Sequence, residues 1–197
     1  MMQQFNSSVI RIAILAMLIS SIMSCGGDDD ELVIKDNHLP IKVGNSWTFI
    51  DPEYPKDNPV TITITGTTRL SNGKTAFVAS DDYSKGYVSR AADDLLLFHE
   101  AINDLQGELI YSPPIKVGTT WQGRQGEAEI IAQETVNTPA GIFQNCFRIN
   151  VRVVDDYDDD YYVIWLAKNV GPIKIAEIYN WDGGIRSTVV LAEFNAR

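Results

Sequence analysis

The stretch Ile142-Phe-Gln-Asn-Cys-Phe-Arg-Ile-Asn-Val-Arg-Val-Val154 decides the fold class. Its apolar side chains fall at alternate positions, namely Phe143, Phe147, Ile149, Val151 and Val153. Polar side chains fall between them, namely Arg148, Asn150 and Arg152, together with Cys146. Because successive side chains of a strand point to opposite faces, this alternation predicts a long strand with one buried face. The cysteine on the other face predicts partial burial there too, as a small hydrophobe.

Similar patterns recur on both sides of this stretch. Val60-Thr-Ile-Thr-Ile-Thr65 alternates strictly and predicts a half-buried strand. Further strands are predicted at 75–80, 87–90, 95–99, 108–111, 127–136, 161–168, 172–179 and 185–194, and a helical turn at 99–106. Turn sequences separate them, such as Ser71-Asn72-Gly73 and Asp182-Gly183-Gly184. Short strands at this spacing predict an all-β antiparallel domain, either a curved sheet, half-barrel or barrel, or alternatively a β-sandwich.

One motif occurs twice. Pro40-Ile-Lys-Val-Gly44-Asn-Ser-Trp47 reappears as Pro114-Ile-Lys-Val-Gly118-Thr-Thr-Trp121, and Gly171-Pro-Ile-Lys-Ile175 is a partial third copy. Glycine permits positive φ at a corner, and tryptophan can begin the next strand as a large core residue. The motif therefore predicts one turn used twice, with carbohydrate stacking on the tryptophans as the functional alternative.

The N-terminus has the pattern of a secretory signal. One charged residue, Arg11, precedes the uncharged run Ile12-Ala-Ile-Leu-Ala-Met-Leu-Ile-Ser-Ser-Ile22. That run is too short to span a bilayer, which needs about 20 apolar residues, but it has the length of a signal-peptide core. Ile22-Met23-Ser24-Cys25 then resembles the bacterial lipobox. This resemblance implies cleavage before Cys25 and its modification by a diacylglyceryl group and a further acyl chain such as palmitate.

The sequence therefore divides into a signal peptide (1–24), a lipidated Cys25 with an acidic tether (25–38), and one β-rich domain (39–197). Two or three acyl chains would anchor the protein without a spanning helix. Gly26-Gly27-Asp28-Asp29-Asp30-Glu31 is expected to be extended and solvated. It also resembles the surface-export signal of Bacteroidetes lipoproteins, which implies the outer face of the outer membrane; a spacer in the periplasm is the alternative.

Charge and cysteine content exclude some classes. Removal of residues 1–24 removes Arg11 alone among the charged residues, which leaves 15 Lys and Arg against 26 Asp and Glu, or −11. Nucleic acid as a partner is excluded, because its phosphates require a basic surface. If Cys25 is lipidated, Cys146 has no partner for an intramolecular disulfide. A catalytic role for the Cys146 thiol is the alternative to packing.

Three segments together resemble a broad group of bacterial secreted proteins and lipoproteins of unknown function. They are the first Pro-Ile-Lys-Val-Gly-x-x-Trp copy, Thr138-Pro139-Ala140-Gly141-x-Phe143-x-x-Cys146, and Trp165-Leu-Ala-Lys-Asn-Val-Gly171-Pro-Ile-Lys174. The resemblance covers most of residues 39–194. It implies a curved antiparallel sheet or half-barrel, somewhat like the lipoprotein-carrier fold, and it implies no catalytic residues.

Residues with catalytic or metal-binding chemistry are sparse. The two histidines, His38 and His99, stand near no nucleophile motif, and they are expected at the surface or at strand ends. Asp156, Asp158 and Asp160 have the spacing of a calcium loop, but Tyr161 and Ala167 replace the glycine and the bidentate acid of an EF-hand. A solvated hairpin loop is the favoured interpretation, calcium the alternative, and no other cofactor is predicted.

The leading hypothesis is a lipid-anchored cell-envelope protein that binds an apolar ligand, a glycan or a protein without catalysis. Carboxylate pairs such as Asp81-Asp82 and Asp93-Asp94 leave an envelope hydrolase as one alternative. Adjacent residues on a strand face opposite ways, which disfavours a catalytic dyad there. A structural or assembly role is the third hypothesis. The partner that the sequence predicts is a membrane, which the protein would contact through its acyl chains.

Overall fold

Every strand that the structure describes belongs to one antiparallel sheet. The computed structural model describes residues 38–90, 96–99, 101–103, 108–111, 115–122, 126–154, 159–178 and 184–196. Its twelve strands are β1 (Ser46–Ile50), β2 (Val60–Arg69), β3 (Thr75–Ser80), β4 (Lys85–Arg90), β5 (Leu96–His99), β6 (Glu108–Tyr111), β7 (Thr120–Gln122), β8 (Glu127–Thr138), β9 (Gly141–Val154), β10 (Asp159–Ala167), β11 (Gly171–Ile178) and β12 (Ile185–Asn195). The expected all-β antiparallel class is confirmed, and the sandwich alternative is wrong because the strands form a single sheet.

The strand order is that of an up-and-down barrel left open at one seam. The sheet runs β6-β5-β4-β3-β2-β1-β12-β11-β10-β9-β8-β7, so the first and last strands pair at its centre. Trp47 lies opposite Phe194 in that pairing, and their rings stack at 5.3 Å. The two edge strands, β6 and β7, are consecutive in the chain. Among the described strands, β6 and β7 are therefore the one pair of sequence neighbours that do not pair, and we call the gap between them the seam.

Contacts across the concave face show how strongly the sheet curves. Ala140, in the β8–β9 turn, donates its backbone N–H to the Leu191 carbonyl on β12 at 3.1 Å, although three strands separate β8 from β12. Most of the core lies on this concave face. Its largest fully buried side chains are Trp47, Phe49, Leu39, Ile62, Ile64, Ile130, Ile173 and Leu191.

The repeated motif forms the same turn twice, as the sequence predicts. In each copy the glycine has positive φ, +95° at Gly44 and +87° at Gly118. Three matching backbone hydrogen bonds, each given from N–H to carbonyl, form in both copies. In the first copy they run from Gly44 to Ile64 (2.7 Å), from Ile64 to Asn45 (2.9 Å) and from Asn45 to Lys42 (3.0 Å). In the second copy they run from Gly118 to Ile130 (2.7 Å), from Ile130 to Thr119 (3.0 Å) and from Thr119 to Lys116 (3.0 Å). Each turn joins the start of β1 or β7 to the strand that follows in the chain.

The partial third copy has a different use. Gly171 begins β11 with φ of +100°, and a Cβ there would lie 2.9 Å from Leu39 Cδ2. Trp47 also donates its indole N–H to the neighbouring Val170 carbonyl at 2.5 Å. The chain that enters the domain thus packs on the β10–β11 turn.

Since all pairings are antiparallel, the connections gather at two ends. We call the end where β1 begins the tether end; its described connections are 38–45, 70–74, 115–119, 139–140 and 168–170, and the β4–β5 connection at the same end lies outside the described residues. Ile102, which follows β5, also reaches this end, since its carbonyl accepts the Ser71 N–H at 2.9 Å. We call the opposite end the distal end; it contains 51–59, 81–84 and the β9–β10 and β11–β12 connections. Residues 1–37, including Cys25 and the predicted signal peptide, lie outside the described residues. In the part that is described, no helix is long and apolar enough to cross a membrane.

Candidate functional site

The predicted calcium loop is placed at the distal end, between β9 and β10. Asp156 and Asp158 lie outside the described residues. Asp160 pairs with Val153 in the β9–β10 ladder. Within the described ranges, no group of three His, Cys, Asp or Glu side chains is arranged to hold a metal ion. The calcium hypothesis therefore stays a prediction.

At the distal end, the β1–β2 connection presents an aromatic ring to solvent. Asp51 Oδ1 accepts the Glu53 N–H at 2.8 Å, and the Asp57 N–H donates to the Tyr54 carbonyl at 2.9 Å. The first bond is of the type that an aspartate side chain makes in turns, and the second closes a backbone turn. They leave Tyr54 with 52% of its surface exposed, between the exposed acids Glu53 and Asp57.

The β3–β4 turn presents a second tyrosine in the same manner. Asp81 Oδ1 accepts the backbone N–H groups of Tyr83 and Ser84, both at 2.7 Å, and the Ser84 hydroxyl at 3.0 Å. Tyr83 is 78% exposed. Asp81 therefore organises a turn, and its neighbour Asp82 is exposed, so this pair is not arranged as a catalytic dyad. Asp93 and Asp94 lie outside the described residues.

The distal end thus combines exposed phenol rings with carboxylates on connections whose strands lie close in the sheet. Tyrosine offers a large, rigid contact area and a polar tip at low entropic cost, which suits recognition of a protein or a glycan. We call Tyr54, Tyr83, Glu53, Asp57 and Asp82 the distal surface. Its rings were missed from sequence; the available signal was a tyrosine inside an Asp-rich turn sequence.

The tryptophans of the repeated motif do not serve as sugar platforms. Trp47 is fully buried, and Trp121 is buried at the level of Ala128 on β8. Both face the concave core, which side chains of the chain itself occupy. The core role that the sequence predicts for these residues is confirmed.

A serine and a histidine meet inside the fold, which spacing alone did not predict. Ser89 Oγ lies 2.7 Å from His99 Nε2, in the diagonal position between β4 and β5. This is the distance of a nucleophile and its base. However, both side chains are fully buried, so a substrate has no route to the hydroxyl. His99 does stand at a strand end, as expected, but it is not at the surface.

On the outer face of the sheet, Trp165 forms the centre of a polar cluster. Its indole N–H donates to the Glu134 carboxylate, while Lys174 Nζ and Arg148 lie over its ring at 4.5 and 5.5 Å. Such cation–π contacts stabilise by about 0.5–1 kcal/mol at exposed sites. The cluster covers the ring of Trp165, which is itself buried. Its members come from four adjacent strands, so it ties β8 to β11.

Cys146 is buried next to this cluster, which confirms its packing role. Its thiol donates to the Phe143 carbonyl at 3.3 Å across a bulge where Asn145 has a φ of +56°. Burial, and to a lesser degree the Glu134 carboxylate, raise the pKa of the Cys146 thiol, against a hydrogen bond from the Val136 backbone. A raised pKa keeps the sulfur protonated and opposes its use as a nucleophile.

Comparison with solved structures places this fold among known ones. A protein from Bacteroides fragilis, described as exported and as having a YMCC-like fold, superposes with a TM-score of 0.52 at 15% identity, over 82% of this chain and 100% of that one. A protein from Parabacteroides distasonis, described as a lipoprotein, is also 15% identical, over 81% of this chain and 99% of that one, with a TM-score of 0.42. No family model and no curated protein matches the chain. The first similarity shows a shared fold.

Proposed function

We propose that this protein is a lipid-anchored cell-envelope protein that binds a partner, without catalysis, through its distal surface. The lipobox at Ile22-Met23-Ser24-Cys25 supports the anchor, and the acidic tract that follows supports export to the outer face of the outer membrane. The Bacteroides fragilis protein with the same fold is described as exported, which agrees with an envelope location.

The observation that carries the proposal is the separation of the two ends. The described chain begins at His38, at the tether end, and Tyr54 and Tyr83 are exposed at the opposite end. A protein held at its N-terminus would therefore present the distal surface away from the membrane. Aromatic residues are enriched at the core of protein interfaces, which favours a protein as the partner over a small ligand.

The concave face supports the same choice. Leu39, Phe49 and Ile62 are fully buried there, together with Trp47. A lipid-like ligand would need an apolar pocket that buries most of its surface. Here that face packs against the entering chain instead, through Leu39 on Gly171.

Photo-crosslinking in the native membrane tests this binding role. A photoreactive phenylalanine replaces Tyr54 or Tyr83 in the full-length protein, and replaces Thr135, which is exposed on β8, as the matched control. We expect one adduct of defined mass from each distal position and none from position 135. The adduct from position 54 should disappear when Tyr83→Ser is added. Equal labelling from all three positions, or a small molecule that co-purifies in stoichiometric amount, would contradict the proposal.

The anchor and its location have separate tests. Mass spectrometry of the protein from its own membrane should show residues 1–24 removed and acyl groups at Cys25. Protease treatment of intact cells should degrade the domain if it is outside the outer membrane. A free Cys25 thiol, or protection from the protease, would contradict the anchor or the outer location respectively.

A further inference from the structure

We propose that the tether end docks on the anionic headgroup layer of the membrane that holds the acyl chains. This inference rests on the proposed lipid anchor and goes beyond it: the domain would lie against the bilayer in one orientation rather than tumble on its tether. It assigns a membrane-contact surface to residues at five connections of the fold.

Positive charge is distributed around this end. Four of its connections each expose one lysine: Lys42, Lys74, Lys116 and Lys168. None of the described residues in the five connections is acidic. Arg69 and Glu193, exposed near the ends of β2 and β12, offset each other. In a chain whose net charge is −10, these five connections carry four lysines and no described acid; the β4–β5 connection at the same end, 91–95, contains Asp93 and Asp94 and lies outside the described residues. We call these four lysines the lysine ring.

Apolar side chains are exposed in the same place. Val43 and Val117 are 47% and 52% exposed, and Ile142, at the start of β9, is 71% exposed. The two valines occupy the same position of the repeated turn, each between a lysine of the ring and the positive-φ glycine. Lysine beside an exposed apolar residue is the composition of segments that rest at a membrane interface.

The distal end has the opposite charge. Its connections 51–59 and 81–84 contain Asp51, Glu53, Asp57, Asp81 and Asp82 against one lysine, Lys56. An anionic bilayer therefore attracts one end and repels the other. Each basic residue close to such a surface adds to the free energy of binding, and the attraction extends only over about a Debye length. The charge distribution thus sets an orientation as well as an affinity.

Chain length keeps the tether end close to the bilayer. Twelve residues, 26–37, separate Cys25 from His38. At the fully extended limit of roughly 3.5 Å per residue, whatever its conformation, this chain spans no more than about 45 Å. His38 belongs to the same end as the lysine ring, and its ring lies 5.5 Å from that of Phe147. The anchor therefore delivers this end to the membrane at high effective concentration.

The acidic tether is the competing occupant of the lysine ring. Residues 26–37 contain five acids and one lysine, a net charge of −4. The tether also contains the apolar run Leu32-Val33-Ile34, so both occupants can supply apolar contact as well as negative charge. The bilayer is preferred because a flat surface can meet the four lysines and the exposed Val43, Val117 and Ile142 together, although they lie on separate connections. The experiment below separates the two occupants.

Fluorescence quenching on vesicles tests the docking. Full-length protein, purified with its acyl chains, carries bimane at Val43→Cys or Val117→Cys, or at Ile185→Cys on the distal side as the control. It is reconstituted into vesicles of phosphatidylcholine, with or without phosphatidylglycerol, that contain headgroup nitroxide lipids. We expect quenching at positions 43 and 117 well above that at 185, stronger with phosphatidylglycerol, and weaker as salt is raised.

Charge variants give the quantitative readout. Lys42→Gln and Lys116→Gln should each lower the ratio of docked to undocked protein by roughly fivefold. The matched control is Lys56→Gln with Lys85→Gln, which removes two exposed distal lysines and should change nothing.

Three outcomes would overturn the docking, and a fourth would reject the anchor on which it rests. Equal quenching at positions 43 and 185 would show that the tether end does not dock. Quenching that depends neither on lipid charge nor on the lysine substitutions would show the same. If Asp28→Asn, Asp29→Asn and Asp30→Asn together change the emission at position 43 in detergent, and vesicles do not quench it, the tether is the occupant. Unacylated protein by mass spectrometry would instead reject the proposed anchor.

Discussion

Replacing Gly171 by alanine is expected to weaken the contact through which the entering chain packs on the domain. The backbone there has φ of +100°, and a Cβ would lie 2.9 Å from Leu39 Cδ2 and 3.3 Å from Trp47 Nε1. Both neighbours are fully buried, and the Trp47 indole is fixed by its hydrogen bond to Val170. Neither can move away freely, so Gly171→Ala combines backbone strain with overpacking.

Two other glycines separate these effects. Gly118 has φ of +87° with no atom within 4 Å of its Cβ position, so Gly118→Ala tests backbone strain alone. Gly66 has open space and no positive φ, so Gly66→Ala is the control without backbone strain or overpacking. Strain costs about 1–3 kcal/mol, overpacking about 1–3 kcal/mol, and the loss of unfolded-state freedom returns about 0.4–1 kcal/mol. We expect a destabilisation of about 2–4 kcal/mol for Gly171→Ala, about 1 kcal/mol for Gly118→Ala, and a slight stabilisation for Gly66→Ala.

Urea unfolding followed by tryptophan fluorescence measures these differences. For a domain of this size each kcal/mol also shifts Tm by roughly 2–4 °C. Adding Leu39→Ala removes the crowded methyl group, so its cost should be smaller in Gly171→Ala than in the wild type. If Gly171→Ala and Gly118→Ala cost the same, or if the Leu39→Ala effects are additive, the contact between Leu39 and Gly171 does not have the role assigned to it.

Three further predictions concern the interior and the distal hairpin. Ser89→Ala should destabilise the domain by about 1–3 kcal/mol in urea unfolding, because it deprives the buried His99 of a hydrogen-bond partner; an effect near zero would mean that the bond is not formed. The raised pKa of Cys146 means that the folded state retains the thiol proton more tightly, so this contribution to stability is present below pH 9.0 and is lost as pH rises further. The stability advantage of the wild type over Cys146→Ala should then shrink in alkaline buffer, and a pH-independent difference would contradict it. Millimolar calcium should leave Tm unchanged if the 155–160 hairpin is solvated, whereas a filled site at 100 times its Kd would add about 2.7 kcal/mol.

Local patterns predicted most of this fold, because its strands alternate and its turns carry their own signals. The 142–154 alternation became β9, and the repeated motif became two equivalent turns with matching hydrogen bonds. The pairing of β1 with β12 was not available from the sequence. It joins residues about 145 positions apart, and no local preference specifies so distant a partner.

The candidate site was harder to predict from the sequence for the same reason. Tyr54 and Tyr83 belong to one surface because their connections lie at one end of the sheet, which depends on strand order. Ser89 and His99 meet through a diagonal between two short strands. The lysine ring is likewise invisible in the sequence, where its members are up to 126 residues apart, from Lys42 to Lys168.

The place where the N-terminal segment enters the sheet suits the proposed attachment of the protein by its N-terminus. β1 pairs with β2 on one side and β12 on the other, so the entering segment leads into the centre of the sheet. Force applied to an edge strand can break its hydrogen bonds one after another. Since β1 is hydrogen-bonded to a strand on each side, two ladders must break before it is released. Leu39 and Trp47 add a third attachment, to the β10–β11 turn, which would bear the force before β1 does. The seam between β6 and β7, where pairing is weakest, lies at the opposite side of the strand order. With the proposed anchor, tension from the membrane would therefore enter the fold at a strand that is paired on both sides.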